Sequence, residues 1–120
     1  MYKGGCMITT DDIDKTIKEA TKPTVIEVGM ENCQKCQMMK SIISIIEEER
    51  DVLKDRVDFV MFDAKEKEDS IAKFGITNLP FFLFVENGNV KESYTGLLSI
   101  KLFENKVLEV FGIKEEEEWI

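Results

Sequence analysis

The chain has 120 residues, 43% of them hydrophobic, and a formal net charge of −8. That length suits one domain, with enough apolar content for a core without disulfide staples. The acidic balance disfavours nucleic acid and anionic membrane surfaces as partners. Three cysteines and no histidine exclude a Ser-His-Asp or Cys-His nucleophile system. They also exclude a zinc site of four Cys, or of Cys and His, built from this chain alone.

The elements follow in chain order. Met1 to Cys6 has no extended hydrophobic stretch of the kind a secretory signal needs, and no apolar run is long enough to cross a bilayer. A cytoplasmic site is therefore expected. In such a reducing compartment, paired cysteines point to catalysis or metal binding rather than to structural bridges. Cys6 to Thr9 is a candidate first strand. Thr10 is placed to cap a short helix in which Ile13, Ile17 and Ala20 share a face, and Pro23 ends it. Thr24 to Gly29 is rich in β-branched residues and reads as a strand.

A long helix is expected from about Cys33 to about Leu53, with Met38, Met39, Ile42, Ile43, Ile45, Ile46 and Leu53 on a wide apolar face. Val57 to Phe62 reads as the next strand. The charged segment Lys65 to Asp69 leads into a short helix ending near Phe74, with Gly75 as its stop. Phe81 to Val85 is a strand, Asn87-Gly88 a type I′ hairpin signal, and Val90 to Tyr94 the returning strand, broken by Gly96. A last helix is expected from about Ser99 to Phe111, with Leu102, Phe103, Val107, Leu108 and Phe111 facing inward. Residues 1–5 and 114–120 are expected to be flexible ends of a single domain, although Trp119 is able to dock. Parallel strands joined by helices, followed by an antiparallel hairpin, make an α/β chain: a mixed four- or five-stranded sheet with helices on both faces.

Cys33-Gln34-Lys35-Cys36 carries the chemistry. It lies where a strand ends and a long helix begins. Unpaired N–H groups and the partial positive charge of that helix end favour a thiolate at Cys33, and Lys35 adds a cation. The i, i+3 spacing brings Cys36 within reach of a disulfide. Closing so short a loop constrains the unfolded chain little, which argues against a stabilising role. The pair thus reads as a redox dithiol: Cys33 attacks a substrate disulfide, and Cys36 resolves the mixed disulfide by attacking Cys33. The same spacing is also half of a zinc or iron–sulfur site, which carboxylates or a second chain would have to complete. Two inert buried cysteines are the bland alternative. Glu27 interrupts an apolar strand. It is either a buried carboxylate of raised pKa, fit to exchange protons at neutral pH, or the solvent face of a half-exposed strand.

Several matches in the right order make the chain resemble the thioredoxin superfamily, over about Ile8 to Gly112. Glu27 to Cys36 is similar to that family's strand, loop and active-site helix. Phe74-Gly75-Ile76-Thr77-Asn78-Leu79-Pro80 resembles the segment ending in its cis-proline. Phe84 to Gly88 followed by Tyr94-Thr95-Gly96 resembles its closing hairpin and the glycine after it.

The resemblance implies a thioredoxin-like fold and a protein-disulfide oxidoreductase, acting as a reductase. It implies that Glu27 stands at the buried Asp that assists deprotonation of the second cysteine. It also implies a cis Leu79-Pro80 bond beside the dithiol, with the Leu79 backbone offered to an extended substrate segment. Asn32, Gln34, Leu79, Pro80 and Gly96 would line the substrate groove. Read without the family, Pro80 merely starts a strand and Gly96 is a helix-start turn.

The departures are specific. Asn32, Gln34 and Lys35 stand where thioredoxins carry Trp and Gly-Pro, and Gly29 stands where they carry an aromatic. They imply a more polar and more open groove. The aromatic that glutaredoxins place before the second cysteine is absent, so glutathione is not implied. Cys6 has no partner in the motif and is either a small hydrophobe near the first strand, a disordered thiol or a regulatory third cysteine. The expected protein is a monomer without a bound organic cofactor, taking a disulfide-containing protein as substrate and recharged by an external reductase or dithiol. A thioredoxin-like binding module for one partner, and a metal or cluster site shared by two chains, are the competing functions.

Overall fold

A computed structural model describes residues 8–50, 53 and 55–114. The expectations for Cys6, Trp119 and most of both chain ends lie outside the described residues. Among the described residues, five strands and four helices follow one another. They are β1 (Ile8–Thr10), α1 (Ile13–Glu19), β2 (Thr24–Gly29), α2 (Gln34–Glu49), β3 (Asp58–Asp63), α3 (Glu68–Lys73), β4 (Phe81–Glu86), β5 (Asn89–Thr95) and α4 (Ile100–Phe111).

The strands form one mixed sheet in the order β1-β3-β2-β4-β5. β3 runs parallel to both β1 and β2, whereas β4 is antiparallel to β2 and β5 to β4. This is the architecture expected, and the described part of the first strand runs to Thr10, one residue further than anticipated. β2 is central, and all six of its residues are buried. Such a strand must satisfy both faces, which explains its near-continuous apolar character.

Alternation along each strand sorts side chains to two faces. Val25, Phe59, Phe82 and Phe84 lie under α2 and α4 and pack with Met39, Ile43, Ile46, Phe103 and Val107. Ile26, Val28, Val60, Phe62, Leu83 and Val85 lie on the other face with Ile13 and Ile17 of α1, and Ile71 and Phe74 of the α3 region pack against them. The hairpin forms as its sequence predicts. Asn87 (φ 56°) and Gly88 (φ 78°) both take the positive dihedrals that a type I′ turn requires.

Four details differ from expectation. Asp12, not Thr10, caps α1: its carboxylate accepts from Lys15 N–H, while the Thr10 hydroxyl accepts from Asp12 N–H. Helix α2 stops at Glu49, because Arg50 turns to extended backbone, although Leu53 is still buried. Met38 and Leu102 are 48% and 55% exposed. Each sits beside a residue that claims the core position, Met39 and Phe103. Glu104, unassigned by sequence, is buried on α4 and faces Arg50 at 3.6 Å.

Candidate active site

Cys33 is the N-cap of α2, and its Sγ accepts the Cys36 N–H at 3.1 Å. A residue expected as the first of the helix thus sits just outside it, where a side-chain acceptor is useful. The two cysteines form a disulfide with Cα atoms 5.2 Å apart. Cys33 is half-buried and Cys36 fully buried. The disulfide sulfurs stand for the oxidised state. On reduction, the same cap N–H and the helix end would face a thiolate at Cys33. Asn32, Gln34 and Lys35 are exposed around the pair.

The sheet register brings the remaining predicted residues to the same edge. Val28 pairs with Phe81 and Phe81 with Thr95, so the end of β2, the start of β4 and the end of β5 lie side by side. The Leu79-Pro80 bond is cis, as the sequence resemblance implied. Pro80 is buried and Leu79 half-buried. The Pro80 carbonyl accepts from Gly96 N–H at 3.1 Å and from the Thr95 hydroxyl at 2.9 Å. That hydroxyl also lies 3.2 Å from the Asn78 carbonyl. Gly96 has φ +118°, a conformation that disfavours a side chain. Further along the same loop, the Leu98 N–H donates to Met39 Sδ, tying the loop to α2.

Glu27 is fully buried, on the face covered by α2. Its register neighbours are Met61 on β3 and Phe82 on β4. Neither carboxylate oxygen has a hydrogen-bond partner among the described residues. Burial pushes its pKa from the ordinary 4.5 up to about 7, with the Lys40 charge opposing part of that rise. The half-exposed reading of β2 therefore does not hold. Gly29, two residues on, approaches Cys36 closely: a Cβ there would fall 3.0 Å from both Cβ and Sγ of Cys36 and 3.8 Å from Glu27 Oε2. Reduced Cys36 would thus sit close to a carboxyl group that changes protonation near neutral pH. Among the described residues, no group of three or more Cys, Asp or Glu is placed to hold a metal.

Sequence reasoning missed Lys40, Thr95 and Met39 as parts of the site. Lys40 was legible, being one helical turn from Cys36. The Thr95 and Met39 contacts are long-range and leave no local signal.

The comparisons agree with this geometry. The thioredoxin family model matches residues 5–109. Thioredoxin Y1, chloroplastic, from Arabidopsis thaliana is 28% identical over 107 residues, which is 88% of this chain and 60% of that protein. The chain thus spans less than two thirds of that relative. A thioredoxin from Rickettsia felis is 27% identical over 90 residues, 75% of this chain and 83% of its own length. Among solved structures, a point-mutant thioredoxin from Halobacterium salinarum superposes with a TM-score of 0.73 at 13% identity, covering 92% of this chain and 96% of that one, which bears on the fold. A family match over nearly the whole chain, together with a bonded Cys-x-x-Cys pair at the head of α2, makes this a thiol–disulfide oxidoreductase: the chain belongs to the thioredoxin family.

Proposed function

We propose that the chain works as one domain that reduces disulfides in protein substrates, through a Cys33/Cys36 dithiol cycle recharged by an external reductase or dithiol. Cys33 thiolate attacks the substrate disulfide and releases the first thiol. Cys36 then attacks Cys33 Sγ, closing the bond between them and releasing the second thiol. Two electrons pass to the substrate, whose two sulfurs take their protons from solvent. Glu27 takes the proton from Cys36 and later returns it to solvent. Lys35 favours the Cys33 thiolate by charge. Leu79, Pro80, Gly96, Asn32 and Gln34 receive the substrate segment, which adds alongside the free backbone of Leu79. The protein acts as a monomer in the cytoplasm, with neither nucleic acid nor membrane as partner. Among the described residues no helix is long and apolar enough to cross a membrane.

The observation that carries this reading is the asymmetry of the pair. Cys33 is half-buried with its Sγ held by a helix-end N–H, while Cys36 is fully buried against Gly29. That asymmetry supports Cys33 as the sulfur that meets substrate first. Insulin reduction with dithiothreitol as donor tests it. Cys33→Ser should abolish catalysis, and Cys36→Ser should trap a covalent adduct with the substrate. Full activity in Cys33→Ser would overturn the assignment. Glu27→Gln should slow release of that adduct at neutral pH.

A further inference from the structure

The loop from Gly96 to Ser99 is fixed at both ends. Gly96 N–H donates to the Pro80 carbonyl at 3.1 Å. Ser99 caps α4, its hydroxyl oxygen accepting from Leu102 N–H at 3.3 Å. Leu98 lies between β5 and α4, outside both ladder and helix, so its N–H needs a partner from elsewhere. That partner is a side chain far away in sequence: Leu98 N–H donates to Met39 Sδ at 3.4 Å. Met39 is fully buried in one cluster with Val25, Ile43, Phe82 and Phe103, and half-buried Leu98 packs against the same cluster. A carboxamide or hydroxyl would be costly to bury there, whereas a thioether is apolar enough for the core and still accepts a hydrogen bond. Met38, its neighbour in the chain, is 48% exposed and offers a sulfur without this duty.

Met39 follows Cys36 by three residues on α2. The sulfur that holds the loop therefore sits one turn along the helix that carries the dithiol, about 4.5 Å further down its axis. We propose that Met39 is a positioning residue for substrate binding: its thioether holds the loop after Gly96 at a fixed offset from the dithiol, so that the groove is shaped before a protein disulfide arrives. The proposal rests on the groove role assigned to Leu79, Pro80 and Gly96 above, and it adds what sets the groove wall against Cys33. Leu97, 38% exposed, is carried between the two tied residues Gly96 and Leu98. With the Leu98 bond broken, the segment between Gly96 and Ser99 gains freedom to swing from α2. Substrate then meets only the fraction of molecules whose loop is in place, and apparent affinity falls by that fraction. Electron transfer runs through Cys33 and Cys36 alone. A disulfide too small to reach the loop is therefore reduced as before.

The test removes the acceptor and the donor separately. Met39→Leu keeps the volume and loses the sulfur, a swap that cores tolerate. Replacing the Leu98 peptide N–H by an ester oxygen loses the donor and keeps the side chain. Each change should raise KM for insulin about two- to tenfold, the range one net hydrogen bond allows. Neither should alter kcat, or the rate with 5,5′-dithiobis(2-nitrobenzoate), which is too small to span the groove. The two changes together should be no worse than either alone, since both break one bond. The Leu98 amide should exchange faster with solvent in Met39→Leu, and Met38→Leu should change none of these readings. The groove itself is read apart from Met39, by loading a substrate peptide onto Cys33 of the Cys36→Ser variant. The Leu79 and Gly96 amide signals should then shift in NMR spectra. Silent signals overturn the groove, and the proposal with it. Shifted signals with an unchanged KM in Met39→Leu, or additive effects of the two changes, overturn the role of Met39 alone.

Discussion

Both faces of the sheet pack a buried core under helices, and they differ in what that core admits. The face under α1 and α3 carries no buried charge, with Ile26, Val28, Val60, Phe62, Leu83 and Val85 packed together and Thr24, by alternation, as its buried polar side chain. The face under α2 and α4 is richer in aromatics, with Phe82 against Phe103 and Phe84 against Phe111. Yet it holds Glu27 in the middle strand without a hydrogen-bond partner among the described residues. A fold selected for stability alone would not place a carboxylate there. One face serves as scaffold; the other gives up stability to keep an acid beside Cys36. Natural sequences are expected to break local rules of this kind at functional sites.

That contrast makes opposite predictions for neighbouring residues. Ile26, fully buried on the scaffold face, should lose about 2–5 kcal/mol of stability on truncation to Ala. Disulfide reduction per folded molecule should be unchanged. Urea unfolding paired with an insulin assay reads both. Glu27→Leu should do the reverse, gaining stability and losing rate. The sign follows from linkage. The folded carboxyl holds its proton up to about pH 7, while the ordinary value is 4.5. Between those values the native state binds more protons than the unfolded chain. Stability of the wild type therefore falls as pH rises through that window and levels off above it. The Leu variant lacks this fall, so its advantage should grow from pH 4.5 to pH 7 and reach about 3 kcal/mol in alkaline solution. Equal stabilities in alkaline solution would mean that the carboxylate is solvated after all.

A third change probes the junction between scaffold and chemistry. Gly29→Ala would bring a methyl group 3.0 Å from Cβ and Sγ of Cys36. Overpacking at such a contact costs about 1–3 kcal/mol. The cost should be larger in the oxidised protein, where the bond to Cys33 prevents Cys36 from rotating away. Destabilising the disulfide form relative to the dithiol makes the couple more oxidising, by about 30 mV for each 1.4 kcal/mol. Equilibration against glutathione would show whether the potential rises.

Much of this was legible in the sequence, and what was not has a physical pattern. β2, the Asn87-Gly88 hairpin and the dithiol are local signals, set by β-branched residues, turn chemistry and spacing. The Leu79-Pro80 geometry was legible only through resemblance, because nothing in two residues dictates a cis bond. Glu27 had two readings because strand period gives a face but not how deeply the strand is buried. Its burial follows from β2 lying between β3 and β4 under α2, a fact of topology. Met38 and Leu102 were expected inside, since apolar periodicity cannot tell which of two adjacent residues meets the sheet. Thr10 and Asp12 are both competent caps, and the register of the first turn chose between them.

The smallest expected effect lies at the groove, where backbone rather than side chains dominates. The Thr95 hydroxyl lies within hydrogen-bond distance of the carbonyls of both Asn78 and Pro80, at 3.2 Å and 2.9 Å. Its single proton serves one of them at a time. Pro80 keeps a second donor, the Gly96 N–H. Thr95→Val removes the hydroxyl while preserving shape and β-branching, so strand β5 should pair as before. The Pro80 carbonyl remains satisfied, and Asn78 is exposed to water, so no buried acceptor is orphaned. The expected loss is therefore only about 1 kcal/mol, the net worth of one hydrogen bond. Its kinetic signature should be a higher KM for a protein disulfide with resolution by Cys36 unaltered, because the change touches the segment proposed to receive substrate and not the dithiol. A slowed resolution step in Thr95→Val would mean that the groove and the Cys36 side are mechanically one unit, and the division drawn between them would have to be abandoned.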